Sequence, residues 1–270
     1  MQTDSGIVVD KGAGNAEGIV EIRLSRPDRL NALGVDMTDA LLAAITDAAA
    51  SDARVILICG TGRAFCAGAD LKERRTMDEA ARVKHNRAIN AAVDALGAAP
   101  MPTLCAINGL ALGGGCEIAL ACDLRYAAED AQIGLTEARI GAIPGAGGTQ
   151  RMPRVIGATR ALELIFTGEP ITGKRAAEIG LINAAVAADQ LDAHVMRIAT
   201  VLASRSPSGA RTAKRLIYGG LETTLAEGLK QEASALRDIL TSADYAEGLA
   251  AFAEKRPPRF GEGRSEGAAN

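Results

Sequence analysis

The stretch NGLALGGGCEIALACD spans residues 108–123. Three glycines, Gly113 to Gly115, run into a segment with helical apolar spacing, and Glu117 stands two residues past the last of them. TLCAI (103–107), just upstream, is the kind of short apolar run that forms a strand buried on both faces. The order is therefore strand, glycine turn, helix. At such a junction the first N–H groups of the helix lack intrahelical partners, and the helix dipole favours negative charge beside them. Glycine lets a ligand approach that backbone closely. The bland reading is a tight turn, and the functional one is a cradle for an oxyanion. A dinucleotide fingerprint fails here, because Gly113-x-Gly115-x-x leads to Ile118 where a small residue is required. The chain also lacks GxxxxGK[ST], so a P-loop is excluded.

The same arrangement occurs upstream. VILIC (55–59) reads as another buried strand, and GTGRAFCAGADL (60–71) as a glycine-rich loop. Two loops leaving neighbouring parallel strands can each offer one N–H to one oxygen, which is the geometry of an oxyanion hole. Alone, FCAGAD (65–70) would be an ordinary strand-to-helix loop.

The rest of the pattern is α/β. IVVD (7–10) and GIVEIRLS (18–25) read as a half-buried hairpin, with Val20, Ile22 and Leu24 alternating against Glu21 and Arg23. Met37, Leu41, Ile45 and Ala48 predict a helix over 35–50, and a second helix covers 78–98 before Pro100 and Pro102. A strand follows near 123–127. After about residue 147 the pattern is helical, through 174–182, 189–204 and 206–254. Strands alternating with helices and no polar linker indicate an α/β architecture.

Composition sets outer limits. The chain has 270 residues, 48% hydrophobic content and a net charge of −3, enough for a large core and without a basic face for nucleic acid. It has no apolar run of membrane-spanning length and no secretory pattern at the start, so a cytoplasmic protein is expected. The five cysteines are odd in number and never spaced CxxC, which predicts reduced, mostly buried thiols. With only His85 and His194 to help, no metal site is expected, and both histidines read as surface residues. GxSxG and HExxH are absent.

Two carboxylates remain. Glu117 lies among Cys116, Ile118 and Ala119, and Glu137 in IGLTEARIGAIPGAGG (133–148), beside apolar residues and glycine turns. Twenty residues separate them, too many for one helix face, but an intervening strand could fold them together. An acid in apolar surroundings has a raised pKa suited to proton transfer near neutrality. The bland alternative for either is an ion pair with Arg125 or Arg139.

FCAGADL (65–71), NGLALGGGCEIALACDLRYAA (108–128), TEARIGAIPGAGGTQRMPRVIG (136–157) and AFAEKRPPRF (251–260) occur in this order. Together they resemble the crotonase, or enoyl-CoA hydratase/isomerase, family over about residues 7–260. The resemblance implies a spiral of ββα units over 1–200 and a C-terminal helical trimerisation region over 201–260, and the Gly-rich, charged composition after Pro257 predicts a disordered tail over 261–270. It implies an acyl-CoA thioester substrate, no cofactor beyond the CoA of the substrate itself, and a homotrimer or homohexamer. By position, the oxyanion donors fall on the N–H groups of Ala69 and Gly114, and the two catalytic acids on Glu117 and Glu137. Ala67, Gly68, Asp70, Leu71 and Gly113 belong to the substrate-binding loops. Lys72 stands where relatives touch the nucleotide end of CoA. Phe252 and Lys255 match residues that reach the CoA of a neighbouring subunit.

Two acids favour a hydratase, whereas isomerases of the family usually work with one, here Glu137. A non-catalytic acyl-CoA binder on the same fold is the rival from another class. In style the chain is nearest to the methylglutaconyl-CoA hydratase branch, through FCAGADLKER, GTQRMPR, EKRPPR and the GLTEA around the second acid. That branch's RNA binding rests on lysines of an early helix. GVDMTDALLAAITDAAA (34–50) has three aspartates and no lysine, so no nucleic-acid partner is expected. The helix over 78–98 is expected to line the acyl pocket. Its run His85, Asn86, Arg87 reads as a solvated face, with recognition of a carboxylated acyl tail as the alternative.

Overall fold

The computed structural model describes residues 5–15 and 17–261. The N-terminal hairpin pairs β1 (Ile7–Lys11) antiparallel with β2 (Ile19–Leu24). Helix α1 (Val35–Ala50) leads to β3 (Val55–Gly60), whose six residues are all buried. Next come β4 (Ala64–Cys66), the short α2 (Leu71–Arg74) and the long α3 (Glu79–Ala98). The second unit is β5 (Thr103–Ile107), β6 (Leu110–Leu112) and α4 (Gly114–Ala121). The third is β7 (Leu124–Ala128), β8 (Gln132–Gly134) and a 3-10 turn, Glu137–Ile140. Then follow α5 (Gly148–Ile156), α6 (Ala158–Thr167), β9 (Ile171–Thr172), α7 (Gly173–Glu178), β10 (Ala184–Val186) and α8 (Leu191–Ala203). The described chain finishes with α9 (Pro207–Leu221), α10 (Leu225–Leu240) and α11 (Ala243–Glu254).

Each ββα unit divides its two strands between two sheets. The first strands of the units build the larger sheet, in the order β1-β2-β3-β5-β7-β10, parallel beyond the hairpin. The second strands build the smaller one, β4-β6-β8-β9, parallel except for β9. Repeating this step turns the chain into a spiral. β3 and β5 are buried on both faces, which is why their sequences are unbroken apolar runs. Helix α8 covers one face of the larger sheet, and α1 packs on α3.

Several short strands depart from expectation. The 60–71 stretch is not all loop, since Ala64–Cys66 pair with β6 as a strand. The region beyond 147 carries β9 and β10, whose two or three residues leave no period to read. His85 is buried rather than on the surface. It shares the inner stripe of α3 with Ile89, Ala92, Val93 and Leu96. His194 is half-buried, its ring 5.2 Å from that of Tyr126. All five cysteines are free and buried.

Helices α9–α11 expose a broad apolar surface, including Leu221, Leu225, Leu229 and Phe252. Asp123 ties α9 to the core: it accepts Lys214 Nζ at 2.8 Å and the Tyr218 hydroxyl at 3.0 Å. The tail expected over 261–270 lies, from residue 262 on, outside the described residues.

Candidate active site

All eight residues of α4 are buried. A helix apolar on every side belongs in a core, and the carboxyl of Glu117 goes inside with it. The glycines make this packing possible. A Cβ on Gly115 would lie 2.1 Å from the Cys66 carbonyl oxygen, so α4 can start hard against β4 only with no side chain there. Gly113 has φ +52°, a left-handed conformation that glycine adopts at little cost.

The two glycine loops meet. A Cβ on Gly68 would fall 2.7 Å from the Leu112 carbonyl oxygen and 3.2 Å from the Gly114 nitrogen. One on Gly114 would sit 3.8 Å from the Ala69 nitrogen. Leu33 buttresses the first loop. Its N–H donates to Gly68 O at 2.7 Å, and its carbonyl accepts from Asp70 N at 3.0 Å. That pairing uses the Gly68 carbonyl and the Asp70 N–H, the groups on either side of Ala69, and leaves the Ala69 N–H unused. Gly114, as the first residue of α4, has no intrahelical acceptor. Among the described residues neither N–H is engaged in a hydrogen bond, so the two donors stand side by side at the start of a helix.

Glu117 Oε1 accepts two backbone hydrogen bonds, from Ala146 N at 2.6 Å and Gly148 N at 2.8 Å. Burial raises its pKa, while these two donors and the guanidinium groups of Arg151 and Arg74 pull it back. Glu137 approaches from the 3-10 turn. Its Oε1 lies 2.9 Å from where a Gly113 Cβ would be, and its Oε2 is buried without a hydrogen-bond partner. Burial and then the charge of Glu117 push the Glu137 carboxyl up to about 7, against the pull of its own backbone N–H and of Arg74. The ion pairs considered for these acids do not form. Arg139 pairs with Glu169, and Arg125 bonds the Leu181 and Cys122 carbonyls.

The expected residues sort into four groups. Gly68, Ala69, Gly113 and Gly114 converge on the acid pair. Ala67 and Asp70 hold the first loop: Ala67 N donates to Leu30 O at 3.0 Å, while Asp70 caps α2 and accepts Arg29 Nη1 at 3.0 Å. Lys72 lines a separate cleft of about 420 Å³ with Arg26 and Arg29, and Leu71 is exposed. Phe252 and Lys255 stand apart at the end of α11. Phe252 is 86% exposed, and among the described residues no hydrogen bond joins either side chain to the acid pair.

Sequence reading missed Arg74. This half-buried guanidinium donates to His85 Nδ1 at 3.3 Å and Asn86 Oδ1 at 3.2 Å, and it lies within electrostatic reach of both acids. Its signal was its place, four residues past Asp70 in a helix of one turn. Asn86 faces the site, but Arg87 lines an exposed groove with Glu79 and Val83. Among the described residues no group of three His, Cys, Asp or Glu side chains is arranged to hold a metal ion.

Two backbone donors beside a buried and a half-buried carboxyl define a site suited to proton transfer at carbons next to a carbonyl. The comparisons with known proteins agree with this class. The family model "Enoyl-CoA hydratase/isomerase" matches residues 14–263. The putative enoyl-CoA hydratase/isomerase YngF of Bacillus subtilis is 44% identical over 89% of this chain and 93% of its own length. Human mitochondrial methylglutaconyl-CoA hydratase is 40% identical over 96% of this chain and 78% of its own. The crystal structure of an enoyl-CoA hydratase from Bacillus anthracis superposes with a TM-score of 0.91 at 41% identity, covering 94% and 98% of the two chains. The chain belongs to the enoyl-CoA hydratase/isomerase, or crotonase, family.

Proposed function

We propose that this protein is an enoyl-CoA hydratase, adding water across the 2,3 double bond of a trans-2-enoyl-CoA thioester. The observation that carries the reading is the pairing of a buried and a half-buried carboxyl of unlike environment beside the Ala69 and Gly114 N–H groups. The thioester oxygen would sit between those donors, and the acids would share one water. Glu117, held by two N–H donors, is the base that lets the water attack C3. Glu137, whose surroundings favour the protonated form near neutrality, delivers the proton to C2. Charge accumulates on the thioester oxygen as an enolate, where one oxyanion donor contributes on the order of 3 kcal/mol. Lys72, Arg26 and Arg29 line a cleft, together with Asp36 and Glu73, where they could meet the phosphates of CoA.

For the acyl group, the favoured substrate is a branched, carboxylated enoyl chain such as methylglutaconyl. Arg74 supports this, since among the described residues it is a half-buried cation with neutral hydrogen-bond partners and no ion pair. The exposed apolar surface of α9–α11, with Phe252 at its end, supports assembly into a trimer or hexamer. Light scattering would then give three or six chain masses. A Δ3,Δ2-enoyl-CoA isomerase working through Glu137 is the second reading, and the burial and bonding of Glu117 count against it.

The deciding experiment is loss of the conjugated thioester absorbance of crotonyl-CoA and 3-methylglutaconyl-CoA. Rapid loss supports the hydratase, with the ratio of the two rates reporting the acyl preference. Conversion of 3-enoyl-CoA alone would establish the isomerase. Binding of CoA esters without turnover of any would leave the non-catalytic binder.

A further inference from the structure

The donors that hold Glu117 come from the loop over 141–147 and the first residue of α5. One peptide unit of that loop, Gly145–Ala146, is engaged at both ends. Its N–H donates to Glu117 Oε1 at 2.6 Å. Its C=O accepts from Asn90 Nδ2 at 2.5 Å and Asn86 Nδ2 at 3.3 Å. The following carbonyl, of Ala146, accepts Arg151 Nη1 at 3.0 Å, and Arg151 Nη2 in turn meets Asp94 at 2.8 Å. Residues 86, 90 and 94 recur at four-residue spacing, so one stripe of α3 holds this loop directly at two turns and, through Arg151, at a third.

We infer that Asn90, backed by Asn86, is a positioning residue for the proposed base, fixing the Gly145–Ala146 peptide so that its N–H stays aimed at Glu117. This rests on the hydratase reading for its kinetic consequence, though not for its structural one. A peptide is a planar, conjugated unit. A donor on its oxygen therefore fixes the direction of its N–H and strengthens the bond that N–H makes. A side chain at 145 would press on the same contact, because a Cβ there would lie 3.1 Å from the Asn86 amide. Other charged groups also face Glu117: Glu137 from the 3-10 turn, Arg74 from α2 and Arg151 from α5. None of them is altered by a change at Asn90.

The test uses Asn90→Ala and Asn90→Leu in the full chain. The second keeps the size and removes the donor without adding a charge. Weakening the Ala146 donor disfavours ionised Glu117, so its titration moves to higher pH. Infrared difference spectra, wild type minus Glu117→Gln, read that titration directly and need no substrate. The expected result is an upward move in both variants. In turnover of the preferred enoyl-CoA, the acid limb of kcat/KM moves the same way, and kcat falls about tenfold while KM stays within about twofold. On the Glu117→Gln background, Asn90→Ala adds less than about twofold. An unmoved Glu117 titration in both variants overturns the inference, whatever happens to their melting temperatures. If the wild type turns over no enoyl-CoA, the hydratase reading falls, and the infrared result still decides the role of Asn90.

Discussion

The two carboxyls of the site are the same chemical group in opposite surroundings. Glu117 stands on a fully buried helix and places one oxygen between two backbone N–H groups. Glu137 stands on a 3-10 turn, with one oxygen against Gly113 and the other buried with no partner. Burial raises both. At Glu117 two fixed donors from another loop work against that rise, at Glu137 only its own backbone N–H does, and the charge of Glu117 adds to the rise at Glu137. The difference supports the proposed roles, because environments that separate two pKa values favour one group as base and the other as acid.

Removing either group is the strongest way to break the comparison. Glu117→Gln keeps an oxygen for the Ala146 and Gly148 donors, so the fold should survive while the base is lost. Hydration of crotonyl-CoA or methylglutaconyl-CoA should fall by about a thousandfold, within the range for general acid–base groups. Glu137→Gln should cost as much. If Glu117→Gln keeps full isomerisation of a 3-enoyl-CoA, Glu137 works alone there, and the two-acid requirement belongs to hydration only.

The glycine that faces Glu137 offers a finer probe. A methyl group at Gly113 would meet Glu137 Oε1 at 2.9 Å and would also strain a φ of +52°. Gly113→Ala should displace the acid and lower kcat about a hundredfold, the usual result of an ångström-scale misplacement. Gly148→Ala presses on the other acid, with its Cβ 3.0 Å from Glu117 Oε1. Stopped-flow single turnovers would show whether chemistry, rather than binding, slows in each.

Much of this site was legible in the sequence, and for physical reasons. Buried parallel strands must be apolar throughout, so VILIC and TLCAI identified themselves. The glycine loops after them were visible because close backbone packing excludes other residues. The two acids stood out against apolar neighbours. The smaller sheet was not legible, because β4, β6 and β8 are three residues each and show no period. Arg74 and Asn90 were missed, and Asn86 reads first as part of a solvated face, for another reason. Their importance lies in what folds against them, namely the loop at Gly145, and no local pattern records that. His85 could have been found, since it falls on the same stripe as Ile89, Val93 and Leu96.

A smaller effect tests the comparison through stability. The ordinary carboxyl value is 4.5, and in the folded chain Glu137 is pushed up to about 7. Between those values the folded state binds more protons at this group than the unfolded state does. Its contribution to stability is therefore retained below about pH 4.5 and declines as the pH rises to about 7. Above that, the ionised carboxyl is a standing cost to the fold. Glu137→Gln removes it, so the variant should be more stable than wild type at pH 8, by about 1 kcal/mol once solvent screening is allowed for. That corresponds to a rise of about 2 °C in Tm, and the difference should vanish towards pH 4.5. Calorimetry at the two pH values checks it. An inactive variant that melts higher only at alkaline pH would mean that the fold bears a cost to keep this acid protonated near neutrality. A pH-independent difference would mean that Glu137 is not held in its neutral form, and the division of labour with Glu117 would lose its electrostatic basis.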